Sequence, residues 1–275
     1  MYTYIDKQED LSFLNSELLD RQFVGVDTEF RRTTKDNMRL ALLQVNDGEE
    51  IYLIDSILID NPKNDCSFLY SESVVKIFHS CKEDIEAVYS WTGRKMVNIF
   101  DTQLANSFLE DNYSIGYQGL VEKKIGIILD KGETRSNWIR RPLSDSQLKY
   151  AALDVEYLIP LYEDQKEELQ KTNKFDWFNQ DIERLIFTIF NKSTEQRDID
   201  RLISKAEEND ILYKMNNFIE EIACRERINT TMFFSKKAQK DFLRSIFANG
   251  IDEACKEITI WRKNLIREDL FNLLK

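Results

Sequence analysis

From Tyr2 to Phe100 the chain moves between runs dense in β-branched and aromatic residues and stretches with helical periodicity. Residues 2–5 read as a short strand, and Gln8–Leu19 as an amphipathic helix with Leu11, Leu14 and Leu18 on one face. Phe23–Phe30, Arg39–Asn46 and Glu50–Asp55 read as three further strands, the last two joined by the turn Asn46-Asp47-Gly48. Connections this short predict an antiparallel meander. Beyond the polar loop Asn61–Asp65 the pattern becomes strand–helix alternation: Val74–His79, a helix Lys82–Trp91, Val97–Phe100, then a helix capped by Asp101-Thr102 and running through Phe108. Ser144-Asp145-Ser146-Gln147, just after Pro142, has the form of a capping box. The helix it opens turns Leu148, Ala151, Ala152, Val155, Leu158 and Ile159 inward, with a kink expected at Pro160 and a charged end near Lys171.

A meander followed by β-α-β units predicts a mixed sheet covered by helices, an α/β (α+β) domain over residues 1–172. Thr172-Asn173 is the expected linker. Only helical patterns follow over residues 173–275, at Asp176–Phe190, Asp198–Glu207, Leu212–Glu226, Lys236–Phe247 and Ile251–Leu274.

Within the first long strand, alternation carries chemistry. Asp27 and Glu29 project from one face, which Gly25 leaves open, while Val24, Val26, Thr28 and Phe30 point the other way into expected apolar packing. Two carboxylates roughly 7 Å apart on one face repel unless solvated or bridged by a cation. By itself Asp-x-Glu is more often a solvent face, so the rest of the chain must decide.

The 275 residues are 42% hydrophobic and 32% charged, as in a folded globular protein. Met1–Lys7 has no basic-then-apolar leader pattern, and no apolar run approaches the ~20 residues that cross a bilayer. Cys66, Cys81, Cys224 and Cys255 are scattered, so free thiols in a cytoplasmic protein are expected rather than disulfides or zinc. The net charge of −11 lies wholly in residues 1–173, while residues 174–275 are neutral. An acidic half suits divalent cations, and a balanced half with basic clusters, such as Lys236-Lys237-Ala238-Gln239-Lys240, can still meet phosphates.

Two more acids complete the picture. Asp84 falls in the first turn of the helix after Val74–His79, and Tyr150 and Asp154 are one turn apart on the helix opened by Ser144. Four carboxylates with a phenol beside them match phosphoryl transfer assisted by two Mg²⁺ or Mn²⁺ ions, with the phenol orienting the attacking water.

Val26-Asp27-Thr28-Glu29-Phe30, His79-x4-Asp84 and Tyr150-x3-Asp154 resemble the three motifs of the DEDD exonucleases, tyrosine subclass. Lys149 stands where the histidine subclass would place its His. Asp101–Ala105, Leu129–Trp138 and Arg140–Ser144 are similar to ribonuclease D text between the second and third motifs, so the resemblance spans about residues 20–165. It implies a ribonuclease H-like fold and 3′→5′ exoribonuclease activity on RNA 3′ ends such as tRNA precursors. It also implies Asp27, Glu29, Asp84 and Asp154 as ligands of two divalent cations and Tyr150 as catalytic. Residues 203–275 resemble a single degenerate helicase-and-RNase-D C-terminal domain, most visibly at Ile260–Leu265. Asp36-Asn37-Met38 departs from the family's Tyr-Tyr-Pro.

A 3′→5′ DNA exonuclease and a catalytically silent RNA-binding module stand as alternatives, and a monomer is the expected state. His79, the single histidine, ends an apolar strand and is expected to support rather than react; Asp101 is expected to cap a helix, and Trp138 to pack.

Overall fold

The computed structural model describes residues 2–34, 37–110, 114–129, 132, 136–191 and 204–273. The chain divides into two compact units: Met1–Ala105 with Ile115–Glu167, and Asn106–Ser114 with Glu168–Lys275.

The first unit is built on one six-stranded mixed sheet. Its strands are β1 (Tyr2–Ile5), β2 (Phe23–Thr34), β3 (Asn37–Asn46), β4 (Ile51–Ile54), β5 (Val75–Phe78) and β6 (Ile99–Asp101), in the order β1-β4-β3-β2-β5-β6. β2-β3-β4 is the antiparallel meander predicted from its short turns, while β1–β4, β2–β5 and β5–β6 are parallel. The helices that begin in this unit are α1 (Gln8–Leu19), α2 (Pro62–Asp65), a 3₁₀ turn Ser67–Tyr70, α3 (Lys82–Thr92), α4 (Thr102–Leu109), α5 (Tyr117–Ile125), α6 (Asp145–Glu156) and α7 (Leu158–Lys171). α1 buries Leu11, Leu14 and Leu18, the stripe its periodicity predicted.

Three local devices set the geometry that matters later. First, β2 runs four residues beyond the expected Phe30, yet β5 pairs with it only over Phe23–Gly25, so the stretch carrying Asp27 and Glu29 continues where β5 has ended. Second, Ser80 turns the chain from β5 into α3 at a positive φ of 67°. The Asp101 carboxylate holds that turn, accepting the Ser80 and Cys81 amides (both 2.9 Å) while it also caps α4 through the Gln103 and Leu104 amides. Third, Ser144 and Gln147 form the full capping box, each side chain accepting the other's backbone amide.

The helix from Ser144 does not kink at Pro160; it ends at Glu156 and restarts at Leu158. Pro160 thus sits in the first turn of α7, where a missing N–H leaves no bond unmade. The Tyr117 hydroxyl fills the break, accepting the Tyr157 amide (3.0 Å) and donating to the Leu153 carbonyl (3.1 Å). The break lies against Gly25, where an added Cβ would come within 3.1 Å of Leu158 Cβ and 3.3 Å of the Val155 carbonyl.

The second unit contains α8 (Phe175–Phe190), α9 (Lys205–Glu226), α10 (Thr230–Phe234), α11 (Lys236–Asn249), α12 (Ile251–Ala254), a 3₁₀ turn Cys255–Glu257 and α13 (Ile260–Leu273). Of the expected helix Asp198–Glu207, residues 198–203 lie outside the described residues; Ser204 opens α9 with its own capping box to Glu207. The single helix expected over Ile251–Leu274 is broken, because Ile258 is extended within the β-branched run Ile258-Thr259-Ile260. Trp261 anchors this unit, stacked on Trp177 (ring centroids 4.9 Å apart) with its indole N–H on Asp181, which Arg262 clamps with two nitrogens.

Candidate active site

Alternation puts Gly25, Asp27 and Glu29 of β2 on one sheet face, and α6 packs across that face. Asn46 anchors the helix there, its amide donating to the Val155 and Glu156 carbonyls at 3.0 and 3.2 Å. Asp154, one residue before that anchor, is thereby brought to the two strand carboxylates. Asp27, Glu29 and Asp154 each offer a carboxylate oxygen, and these atoms all lie within 4.8 Å of one another.

Asp84 enters from α3. It is buried, and its Oδ1 accepts the Thr28 hydroxyl at 2.5 Å. Thr28 is therefore not simply apolar packing: its hydroxyl ties the second acidic segment to the first. Asp84 stands outside the closest trio but within range of its charge, raising the pKa of Asp27, Glu29 and Asp154. Tyr150 is half-buried one turn before Asp154 and donates to its carboxylate, with the Trp138 ring 6.1 Å from the phenol ring.

The electrostatics follow from burial without counter-charge. Burial pushes the Glu29 carboxyl up to about 9, aided by the charges of Asp154 and Asp84. Burial likewise raises Asp84 and Asp154 to about 7, against the lowering effect of the Thr28 and Tyr150 hydroxyls respectively. Asp27 is raised well above its ordinary value by burial first, then by Asp84, Asp154 and Glu29. Arg32, further along β2, faces away from this problem: it pairs with Glu83 and Glu86 on α3. Carboxylate oxygens converging in a desolvated place are the donor set of a hard divalent cation, so these residues fit Mg²⁺ or Mn²⁺.

His79 supports the site from behind. Its Nε2 lies 3.0 Å from the Ile115 carbonyl and its Nδ1 2.9 Å from the Thr102 hydroxyl, joining β5, α4 and the segment that leads into α5. Of the Leu129–Trp138 motif, residues 130, 131 and 133–135 lie outside the described residues, as does Asp36; Trp138 is buried. Sequence reasoning missed Thr28, Tyr117 and Asn46. Asn46 was visible only as a turn residue, and Tyr117 belongs to a helix whose nine residues and Gly116 N-cap gave no start signal.

Comparison with known proteins agrees with this geometry. Residues 2–170 match the family model described as 3′-5′ exonuclease. The chain is similar to ribonuclease D of Shewanella sp. (strain ANA-3), 34% identical over 185 residues, which is 67% of this chain and 48% of that protein. The chain thus spans about half the length of the curated relatives it matches. In fold it is similar to Escherichia coli RNase D, with a TM-score of 0.66 and 22% identity over 99% of this chain and 74% of that one. It is also similar to Brucella melitensis NrnC with bound Mg²⁺, with a TM-score of 0.56 and 22% identity over 68% and 90%. Among the described residues no helix is long and apolar enough to cross a membrane. The match over residues 2–170 covers more than half of the sequence and contains all four carboxylates, and the chain belongs to the 3′-5′ exonuclease family.

Proposed function

We propose that this protein is a divalent-cation-dependent 3′→5′ exoribonuclease of the ribonuclease D type, trimming RNA 3′ ends such as those of tRNA precursors. The observation that carries this reading is the meeting of Asp27, Glu29 and Asp154 oxygens within 4.8 Å, with Asp84 in electrostatic reach. In hydrolysis a water oxygen bonds to the terminal phosphorus, the bond from phosphorus to the 3′ oxygen breaks, and a nucleoside 5′-monophosphate leaves behind a new 3′-hydroxyl. Two cations, Mg²⁺ or Mn²⁺, bound by the four carboxylates would stabilise charge on the attacking and leaving oxygens. Tyr150 orients the attacking water and holds Asp154 by its hydroxyl. Thr28 keeps the Asp84 carboxylate turned toward the strand. The domain assignment that goes with this reading is an exonuclease domain over 1–172 and a helical region over 173–275 with an HRDC-like portion at about 203–275. The exposed Lys236, Lys237 and Lys240 on α11 are offered to RNA phosphates. The four free cysteines are in keeping with a reducing cytoplasm.

The test compares 3′-labelled single-stranded RNA, DNA and a tRNA precursor, each with Mg²⁺, Mn²⁺ or excess chelator. Release of 5′-monophosphates from RNA with either metal and none in chelator is the expected result. Faster digestion of DNA would replace the reading with a DNA exonuclease, and binding without cleavage in either metal would replace it with a silent module.

A further inference from the structure

Gln44 lies in β3, in the middle of the meander, and its side chain is 0% exposed. The register sets it directly opposite Asp27 of β2 on one side and Leu53 of β4 on the other. Opposed residues of an antiparallel pair project from the same face with Cβ atoms about 4.5–5.5 Å apart. The Gln44 amide therefore shares the face of Asp27 and Glu29. Asn46, two positions on, marks what covers that face, because its amide donates to the end of α6. Yet neither Oε1 nor Nε2 of Gln44 has a hydrogen-bond partner among the described residues. Buried amides are almost always satisfied, and an unpaired donor and acceptor in a core destabilise the fold. An aliphatic side chain would fill this place at less expense of stability, so the amide needs another reason to be there.

We propose that Gln44 is a positioning residue for the carboxylate cluster. Its Nε2 donates to the Asp27 carboxylate when a divalent cation gathers the acidic oxygens, fixing the orientation in which Asp27 presents its other oxygen to the ion. The Thr28 backbone amide already bonds the Asp27 carboxylate, so two donors would hold this side chain. A neutral amide is well suited to this role, because an ammonium would cancel the charge that attracts the ion and another carboxylate would add to the repulsion. The inference rests on the cation-site reading above.

The test is Gln44→Met in the full chain, similar in length but without donor or acceptor. Two quantities are measured: Mn²⁺ affinity, from the electron paramagnetic resonance signal of free Mn²⁺, and the melting temperature in chelator. The expected result is an affinity weakened about 10–100-fold together with a metal-free Tm raised by roughly 2–4 °C, as two unpaired polar atoms leave the core. Unchanged Mn²⁺ affinity overturns the proposal. So does a metal-free Tm well below that of the parent, which would mean that the core itself satisfies the amide. Failure of the parent protein to bind Mn²⁺ would instead sink the cation site, so the two ideas fail separately.

Discussion

Two sets of carboxylates in the first unit, Asp55 and the half-buried to buried cluster of Asp27, Glu29, Asp84 and Asp154, are opposites. Asp55, just beyond β4, is 0% exposed and fully answered. Arg141 grips both of its oxygens, Nε at 2.5 Å and Nη2 at 2.6 Å; the Tyr4 hydroxyl and the Ile57 amide add two more bonds. Burial pushes the Asp55 carboxyl up, but these donors and the Arg141 charge bring it below its ordinary value. At Asp27, Glu29, Asp84 and Asp154 burial acts in the same direction and nothing of comparable strength opposes it. The lesson is that depth alone does not distinguish a structural acid from a reactive one. A shortage of donors and counter-charge does.

The sharpest way to test that contrast is Asp27→Asn. Removing one charge from the cluster should lower turnover by more than about 10⁴-fold, the loss expected when several kcal/mol of charge stabilisation disappear. It should also raise the metal-free Tm, since like-charge repulsion is relieved; nuclease assays and melting curves on one preparation measure both. Tyr150→Phe should lower kcat by about 10²–10⁴-fold with KM little changed. A raised KM at constant kcat would make Tyr150 a substrate contact.

Arg141→Met attacks the other side of the comparison by turning Asp55 into an unpaired buried acid. Urea unfolding should report a loss of about 3–5 kcal/mol, whereas a loss under about 1 kcal/mol would mean the pair does no more than a surface ion pair.

The smallest effect is the most diagnostic, because the two sites respond to pH with opposite signs. Glu29 at about 9, and Asp84 and Asp154 at about 7, lie above the ordinary carboxylate range. Their contribution is therefore fully present below about pH 4 and is lost as pH rises through the folded-state values. Asp55, held low, contributes above about pH 4 and loses that contribution as pH falls through its lowered value. Buried Lys76, lowered to about 7 by desolvation, also gains stability as pH rises, so the raw curve mixes signs. Comparing the parent with Glu29→Gln removes what both share: in chelator the variant's advantage in Tm should grow from pH 5 to pH 9, and saturating Mg²⁺ should shrink it. A constant difference across that range would break the contrast.

Much of this was legible in one dimension. Alternation placed Asp27 and Glu29 together, the Ser144–Gln147 signal located α6, and helical spacing joined Tyr150 to Asp154. What brought Asp84 and Asp154 to β2 was not local: it needed the Asp101 carboxylate holding the β5–α3 turn and Asn46 anchoring α6, contacts across 20 or more residues. The break before α7 was misplaced at Pro160 because the group that fills it, the Tyr117 hydroxyl, lies 40 residues away from Tyr157. Gln44 carried no signal at all. Its significance comes from register, which sets it opposite Asp27 across the β2–β3 pair and could not be read from its neighbours in the chain.

The contact at Gly25 has a mechanical consequence. Because Gly25 has no side chain, the α6–α7 junction comes close to the strand between the first and third acidic segments, with the Val155 carbonyl and the Cβ and Cδ1 of Leu158 nearest to it. An alanine at position 25 would act as a shim between strand and helix, its methyl pressing on the Val155 carbonyl and on Leu158 and prising the third acidic segment away from the first.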